Sequence, residues 1–162
     1  MKLLVATRSK HKMSEIREIL HEVSGLILLD LKAVGIEPGP GEDDLEPYDS
    51  FDENARSKAE YFHKLVGLPT VADDSGLEVD ALGGAPGVRS KRFAPSQGLR
   101  GQDLDDANNQ HLIAQLKSVA PVSCTARYVC VAVLLGIREE APLICRGEAP
   151  GLVIDTPHGK GG

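Results

Sequence analysis

Hydrophobic and polar positions change period several times along the chain. Lys2–Thr7 (KLLVAT) is a short apolar run that predicts a strand, and from Lys12 onward Met13, Ile16, Ile19, Leu20 and Val23 recur at helical spacing up to a stop signal at Gly25. Leu26–Leu31 predicts a second strand. Gly35–Ser50, with Pro38-Gly39-Pro40-Gly41 and acids behind them, predicts a loop. Asp52–Leu65 predicts a helix burying Ala55, Ala59, Phe62 and Leu65, with Asp52 and Glu53 in the first turn, where the helix dipole favours acids.

Thr70–Ala72 and Leu77–Val79 predict two short strands on either side of a corner at Asp73-Asp74-Ser75-Gly76. Asp103–Lys117 predicts another helix, with Leu104, His111, Leu112 and Leu116 roughly in register. Ser123–Ile137 alternates as a long strand, with Arg127, Val129, Val131 and Val133 on one face and Tyr128, Cys130, Ala132 and Leu134 on the other. In Gly147–Gly162 no closing helix or strand is expected. Strands and helices alternate early and the strands lengthen later, which predicts an α/β fold with a mixed sheet.

At 162 residues the chain is most simply one domain with a sizeable core. A net charge of −6 argues against non-specific binding to duplex nucleic acid, which needs a surplus of Lys and Arg. No apolar run approaches the roughly 20 residues of a membrane span, and MKLLVATRSK turns polar too soon for a signal peptide. Cys124, Cys130 and Cys145 lack C-x-x-C spacing and read as reduced core residues of a cytosolic protein. The five histidines form no metal-spaced set.

Three clusters at element boundaries carry candidate chemistry. Thr7-Arg8-Ser9-Lys10-His11-Lys12 lies between the first strand and the first helix, where unpaired N–H groups and basic side chains can cradle phosphate. Glu53, Asn54 and Lys58 share the second predicted helix; the plain alternative is a solvated face. Asp73 and Asp74 end an apolar run, and two adjacent carboxylates need a counter-charge, a proton or a cation to be tolerated. Carboxylates together with lysines suggest a hard cation holding a polyphosphate.

These residues also have a family resemblance. Thr70–Ala94 (TVADDSGLEVDALGGAPGVRSKRFA), Leu4–Lys12 with Glu15, Phe51–Ala59 (FDENARSKA) and Ala149–Gly162 resemble, in order, the segments of the Ham1-like inosine triphosphate pyrophosphatases. The resemblance implies an elongated mixed sheet flanked by helices, in two lobes with a cleft between them. It also implies hydrolysis of ITP, dITP and XTP to nucleoside monophosphate and pyrophosphate by a magnesium-dependent, cytoplasmic homodimer. Carried over by position, Asp74 is the general base or the orienter of the attacking water, and Glu53 with Asp73 or Asp74 holds magnesium. Lys12 and Lys58, with Thr7 and Ser9, bind the triphosphate, and Ser75 and Gly76 shape the turn that delivers Asp74.

Arg8-Ser9 stands where the family usually has Gly-Asn, Arg89 where tyrosine is common, and Pro95 where glycine often follows. The family pattern continues past Gly162 with F-G-Y-D-P and Ser-His-Arg segments that help hold the base. The resemblance therefore implies a single domain over residues 1–162 lacking a C-terminal part, with base preference outside the residues at hand. Two other readings are a nucleotide-binding module or inactive fragment, and a septum-inhibition-type nucleotide pyrophosphatase; against the latter stands the absence of its S-x-S-x-R segment.

Overall fold

The computed structural model describes residues 1–42, 44–95, 98–119, 124–137 and 141–156. Five strands form one mixed sheet in the order β2-β1-β3-β4-β5: β1 (Lys2–Val5), β2 (Ile27–Leu29), β3 (Thr70–Val79), β4 (Cys124–Leu135) and β5 (Leu143–Val153). Three helices accompany them: α1 (Lys10–Leu20), α2 (Phe51–Val66) and α3 (Gln102–Val119). The α/β architecture expected from the alternation of periods is therefore present.

β1 lies between two parallel neighbours, with Leu3 opposite Leu28 in β2 and Val5 opposite Val71 in β3. Parallel neighbours need long crossovers, and α1 and α2 supply them. Leu4, Val5 and Ala6 are almost wholly buried, as a strand covered on both faces requires.

Both early helices start on a serine. Ser9 caps α1 by accepting from the Lys12 amide at 3.3 Å. Ser50 caps α2 by accepting from the Glu53 amide at 3.2 Å, while its hydroxyl donates to the Glu53 carboxylate at 2.7 Å. Gly67 closes α2 in the left-handed region at φ +68°, its N–H donating to the His63 carbonyl at 2.7 Å. α2 buries Phe51, Asn54, Ala55, Ala59 and Phe62; Leu65, expected on that face, is exposed. In α1 only Met13 is buried, and Ile19 and Val23 of the expected apolar stripe face solvent.

The chain divides into two compact units, one of residues 1–74 and 131–146 and the other of residues 75–130 and 147–162. In the second, Val79, Leu112, Leu116, Cys124 and Ala126 form a core, with Leu77, Leu82, Phe93 and Val153 packed against it. The Phe93 ring meets His111 edge-on, with centroids 5.0 Å apart. Of the three cysteines, all free, Cys124 alone is a core residue, and Cys145 is exposed.

Three expectations are corrected. Asp73–Gly76 is no corner: β3 runs unbroken from Thr70 to Val79. Glycine is needed there for room rather than for a turn. A Cβ on Gly76 would lie 2.2 Å from the Gly87 carbonyl oxygen and 2.6 Å from Ser90 Oγ. That serine is itself held, donating to the Gly87 carbonyl at 2.7 Å and accepting from the Leu77 amide at 2.8 Å. Residues Leu143–Val153, where no strand was expected, form β5, an exposed edge strand that includes Pro150. Along β4 the buried set changes from Cys124 and Ala126 to Val129, Val131 and Val133, so the alternation changes phase across Arg127-Tyr128. Arg127 consequently turns to acids, with Nη2 2.6 Å from Glu78.

Arg8 closes the long loop after β2. Its Nε and Nη2 donate to both Glu42 carboxylate oxygens at 2.9 and 2.6 Å, and its Nη1 donates to the Ile36 carbonyl at 2.8 Å. This fork holds the Glu42 carboxyl below the usual carboxylate range.

Replacing Gly76 by alanine is expected to destabilise the fold by about 2–3 kcal/mol, because the atoms it meets are backbone and a fixed hydroxyl; urea unfolding checks this. Since the folded Glu42 carboxyl sits lower than its unfolded counterpart, the stability it contributes is complete above the unfolded value of about 4.3. That contribution fades as pH falls through the lower folded value. A double-mutant cycle with Arg8→Met and Glu42→Gln is expected to give a coupling of about 1 kcal/mol at pH 7, given the partial exposure of Arg8, and less at pH 3.

Candidate active site

The register of β1 and β3 determines what meets at their carboxyl ends. With Val5 opposite Val71, continuing both chains in parallel brings Thr7 level with Asp73. Thr7 to Ser9 then lead into the N-terminus of α1, the usual place for ligands in parallel α/β sheets. The Lys12 ammonium reaches from the first turn of α1 to the Asp73 carboxylate. This ion pair is largely shielded from water, with the two side chains 21% and 12% exposed.

Asp74, the next residue, is held separately. Successive side chains of a strand leave on opposite faces, so these adjacent carboxylates point apart. Asp74 Oδ2 accepts from Asn54 Nδ2 at 3.0 Å. Asp73 and Asp74 are 9% and 7% exposed, and strand geometry plus the Lys12 charge relieves the repulsion that their adjacency in sequence suggests.

Lys58, one turn beyond Asn54 on α2, pairs with Glu46 in the loop ahead of the helix. Each predicted phosphate lysine is thus already on a carboxylate: Lys12 on Asp73, Lys58 on Glu46. Glu46 was not among the residues singled out from the sequence. Loop acids are common, and nothing in its spacing to Lys58 marks the pair.

The structure places the remaining candidates in structural roles. Glu53 is half of the cap of α2, engaged with Ser50; the Ser-x-x-Glu pattern was a legible signal for this. The hydroxyls of Thr7 and Ser9 accept from the amides of Ser9 and Lys12 at 3.1 and 3.3 Å, a loop geometry that leaves each hydroxyl proton free to point elsewhere. Ser75 Oγ lies 3.1 Å from the Tyr128 hydroxyl, and Gly76 accommodates Gly87, so neither shapes a turn. Arg8, which replaces a glycine of the resembling family, is committed to Glu42 and Ile36. His158 lies outside the described residues.

Among the described residues, no three acids, histidines or cysteines converge as a metal cage. Magnesium seldom uses one: it typically takes one or two carboxylates and completes its shell with water and substrate phosphates. Either Asp73 or Asp74, with Glu46, offers oxygen donors of the kind such a shell uses. Among the described residues, no helix is long and apolar enough to cross a membrane.

Comparison with known proteins agrees with this geometry. A profile of the Ham1 family matches residues 3–162. The dITP/XTP pyrophosphatase of Shigella flexneri is 39% identical over 163 residues, covering 99% of this chain and 77% of its own length. That of Nocardia farcinica is 41% identical over 170 residues, covering 99% and 74%. Among solved structures, a HAM1 protein from Coxiella burnetii superposes with a TM-score of 0.82 at 30% identity, covering all of this chain and 77% of the other. The nucleoside-triphosphatase, a dITP/XTP pyrophosphatase, of Mycobacterium abscessus gives 0.74 at 36% identity, covering 98% and 78%. Matched along nearly its whole length in sequence and in fold, the chain belongs to the Ham1 family.

Proposed function

We propose that this protein hydrolyses non-canonical purine nucleoside triphosphates, ITP, dITP and XTP, to the nucleoside monophosphate and pyrophosphate, and so cleanses the nucleotide pool. The observation that carries the reading is the pair of lysine–carboxylate contacts, Lys12 with Asp73 and Lys58 with Glu46, together with the buried Asp74. The dITP/XTP pyrophosphatases among its relatives support the same substrate class.

In this reading Lys12 and Lys58 bind the triphosphate, and the N-terminus of α1 with Thr7 and Ser9 adds donors. Asp74 orients a water towards the α-phosphorus and accepts its proton. The water oxygen–phosphorus bond forms as the bond to the bridging oxygen breaks, and pyrophosphate leaves with that oxygen's electrons. The lysines oppose the charge growing on the leaving group, where electrostatic stabilisation is most effective. Magnesium would be held by Glu46 and by either Asp73 or Asp74 with substrate phosphates, and would supply further neutralisation of the polyphosphate. A homodimer in the cytoplasm completes the proposal, and three cysteines outside any disulfide suit a reducing compartment.

Incubation with magnesium and ITP, with ATP in parallel, is expected to yield IMP and pyrophosphate with little AMP. Pyrophosphate from neither nucleotide would overturn the reading and leave a binding module. Asp74→Asn is expected to lower kcat by about 100-fold or more while sparing binding of the magnesium–nucleotide complex; near-normal turnover would remove Asp74 from the mechanism. Lys12→Met and Lys58→Met are each expected to raise KM for ITP by about tenfold or more, read from initial rates across a substrate series.

A further inference from the structure

Asn54 is wholly buried in the first turns of α2, an unfavourable place for an amide unless every polar atom is satisfied. Its bonds fix its orientation. Oδ1 accepts from the Tyr48 amide at 2.9 Å, and Nδ2 donates to the Tyr48 carbonyl at 3.1 Å. This two-way clamp on a single residue's backbone works in one orientation only, since flipping the amide would set donor against donor and acceptor against acceptor. The second N–H of Nδ2 then points to Asp74 Oδ2, 3.0 Å away.

We infer that Asn54 is a positioning residue for the proposed reaction. It holds the Asp74 carboxylate and, through the Tyr48 backbone, the loop that carries Glu46 two residues earlier, in one fixed relation. The inference rests on the reading of Asp74 given above but concerns a different residue and a different effect. One amide side chain joins a strand carboxylate, a helix and a loop. The lysine of the same helix, Lys58, meets Glu46 from that same loop. Aligning Asp74 and Glu46 thus depends on a group that has no access to substrate itself.

A merely structural role for Asn54 and a positioning role differ in what they move. Asn54→Ala is expected to lower kcat by about tenfold or more with KM for ITP within about twofold, measured well below its melting temperature. If kcat stays normal, or if kcat and KM change together, the inference fails. Asn54→Asp keeps the shape and an acceptor for the Tyr48 amide, but it sets a second carboxylate against Asp74. It is expected to lower Tm by roughly 5–10 °C.

The exchanged pair Asn54→Asp with Asp74→Asn restores one donor and one acceptor across the contact. The donor to the Tyr48 carbonyl stays lost in the exchanged pair, so the pair is expected to recover part of the Tm lost in Asn54→Asp, without recovering turnover. A Tm no higher than that of Asn54→Asp alone would show that the contact is not made, whatever the reaction proves to be. If Asp74→Asn alone kept its activity while the exchange recovered Tm, the contact would stand and the functional reading of Asp74 would fall.

Discussion

Two carboxylates one peptide bond apart, both buried, are tolerable only because they sit in an unbroken strand. β3 sends Asp73 to one face and Asp74 to the other, and each meets a partner that an earlier helix supplies: Lys12 of α1 and Asn54 of α2. Much else follows from that constraint. The parallel register of β1 and β3 must bring the start of α1 to Asp73, and the crossover through α2 must bring Asn54 to Asp74. The caps at Ser9 and Ser50 set the first turns of both helices, from which Lys12 and Asn54 project.

Gly76 extends the same constraint. A tighter turn at Asp73-Asp74 would put both acids on one side and leave their repulsion to a cation. In the continuous strand the glycine admits the Gly87 carbonyl against the backbone, and β3 continues past the acids to Val79. The charged pairs of Lys12 with Asp73 and Lys58 with Glu46 are both made within the chain itself.

Much of this was legible in the sequence. Helices α2 and α3 and strands β1 and β4 lie within a few residues of the spans that periodicity predicts, because their apolar positions are dense and regular. The failures have physical causes. The helical spacing of Ile19 and Val23 does not bring burial, since nothing local says whether an element packs there. Glycine at 76 read as a turn because sequence alone does not distinguish a glycine chosen for its φ from one chosen for its missing Cβ. β5 escaped notice because an edge strand exposed along all but its last residue, Val153, shows no alternation. In the site, Lys12, Lys58, Asp73 and Asp74 were found by type and position. Glu46 and the role of Asn54 were not, since both depend on a loop folding back onto α2 at a distance no spacing rule encodes.

The exposed last strand also bears on how the protein keeps to itself. Among the described residues the eleven of β5 stand at one end of the sheet, and an open strand of that length is a template on which further backbone can pair. Arg146, Glu148 and Pro150 interrupt it. A proline offers no amide hydrogen, and in sheets it is tolerated where that absence faces away from the ladder, so a chain docking there meets a gap in the row of donors flanked by charge. The GEAPG stretch that hid this strand from its hydrophobic pattern is thus also what limits the backbone pairing its outer side can offer.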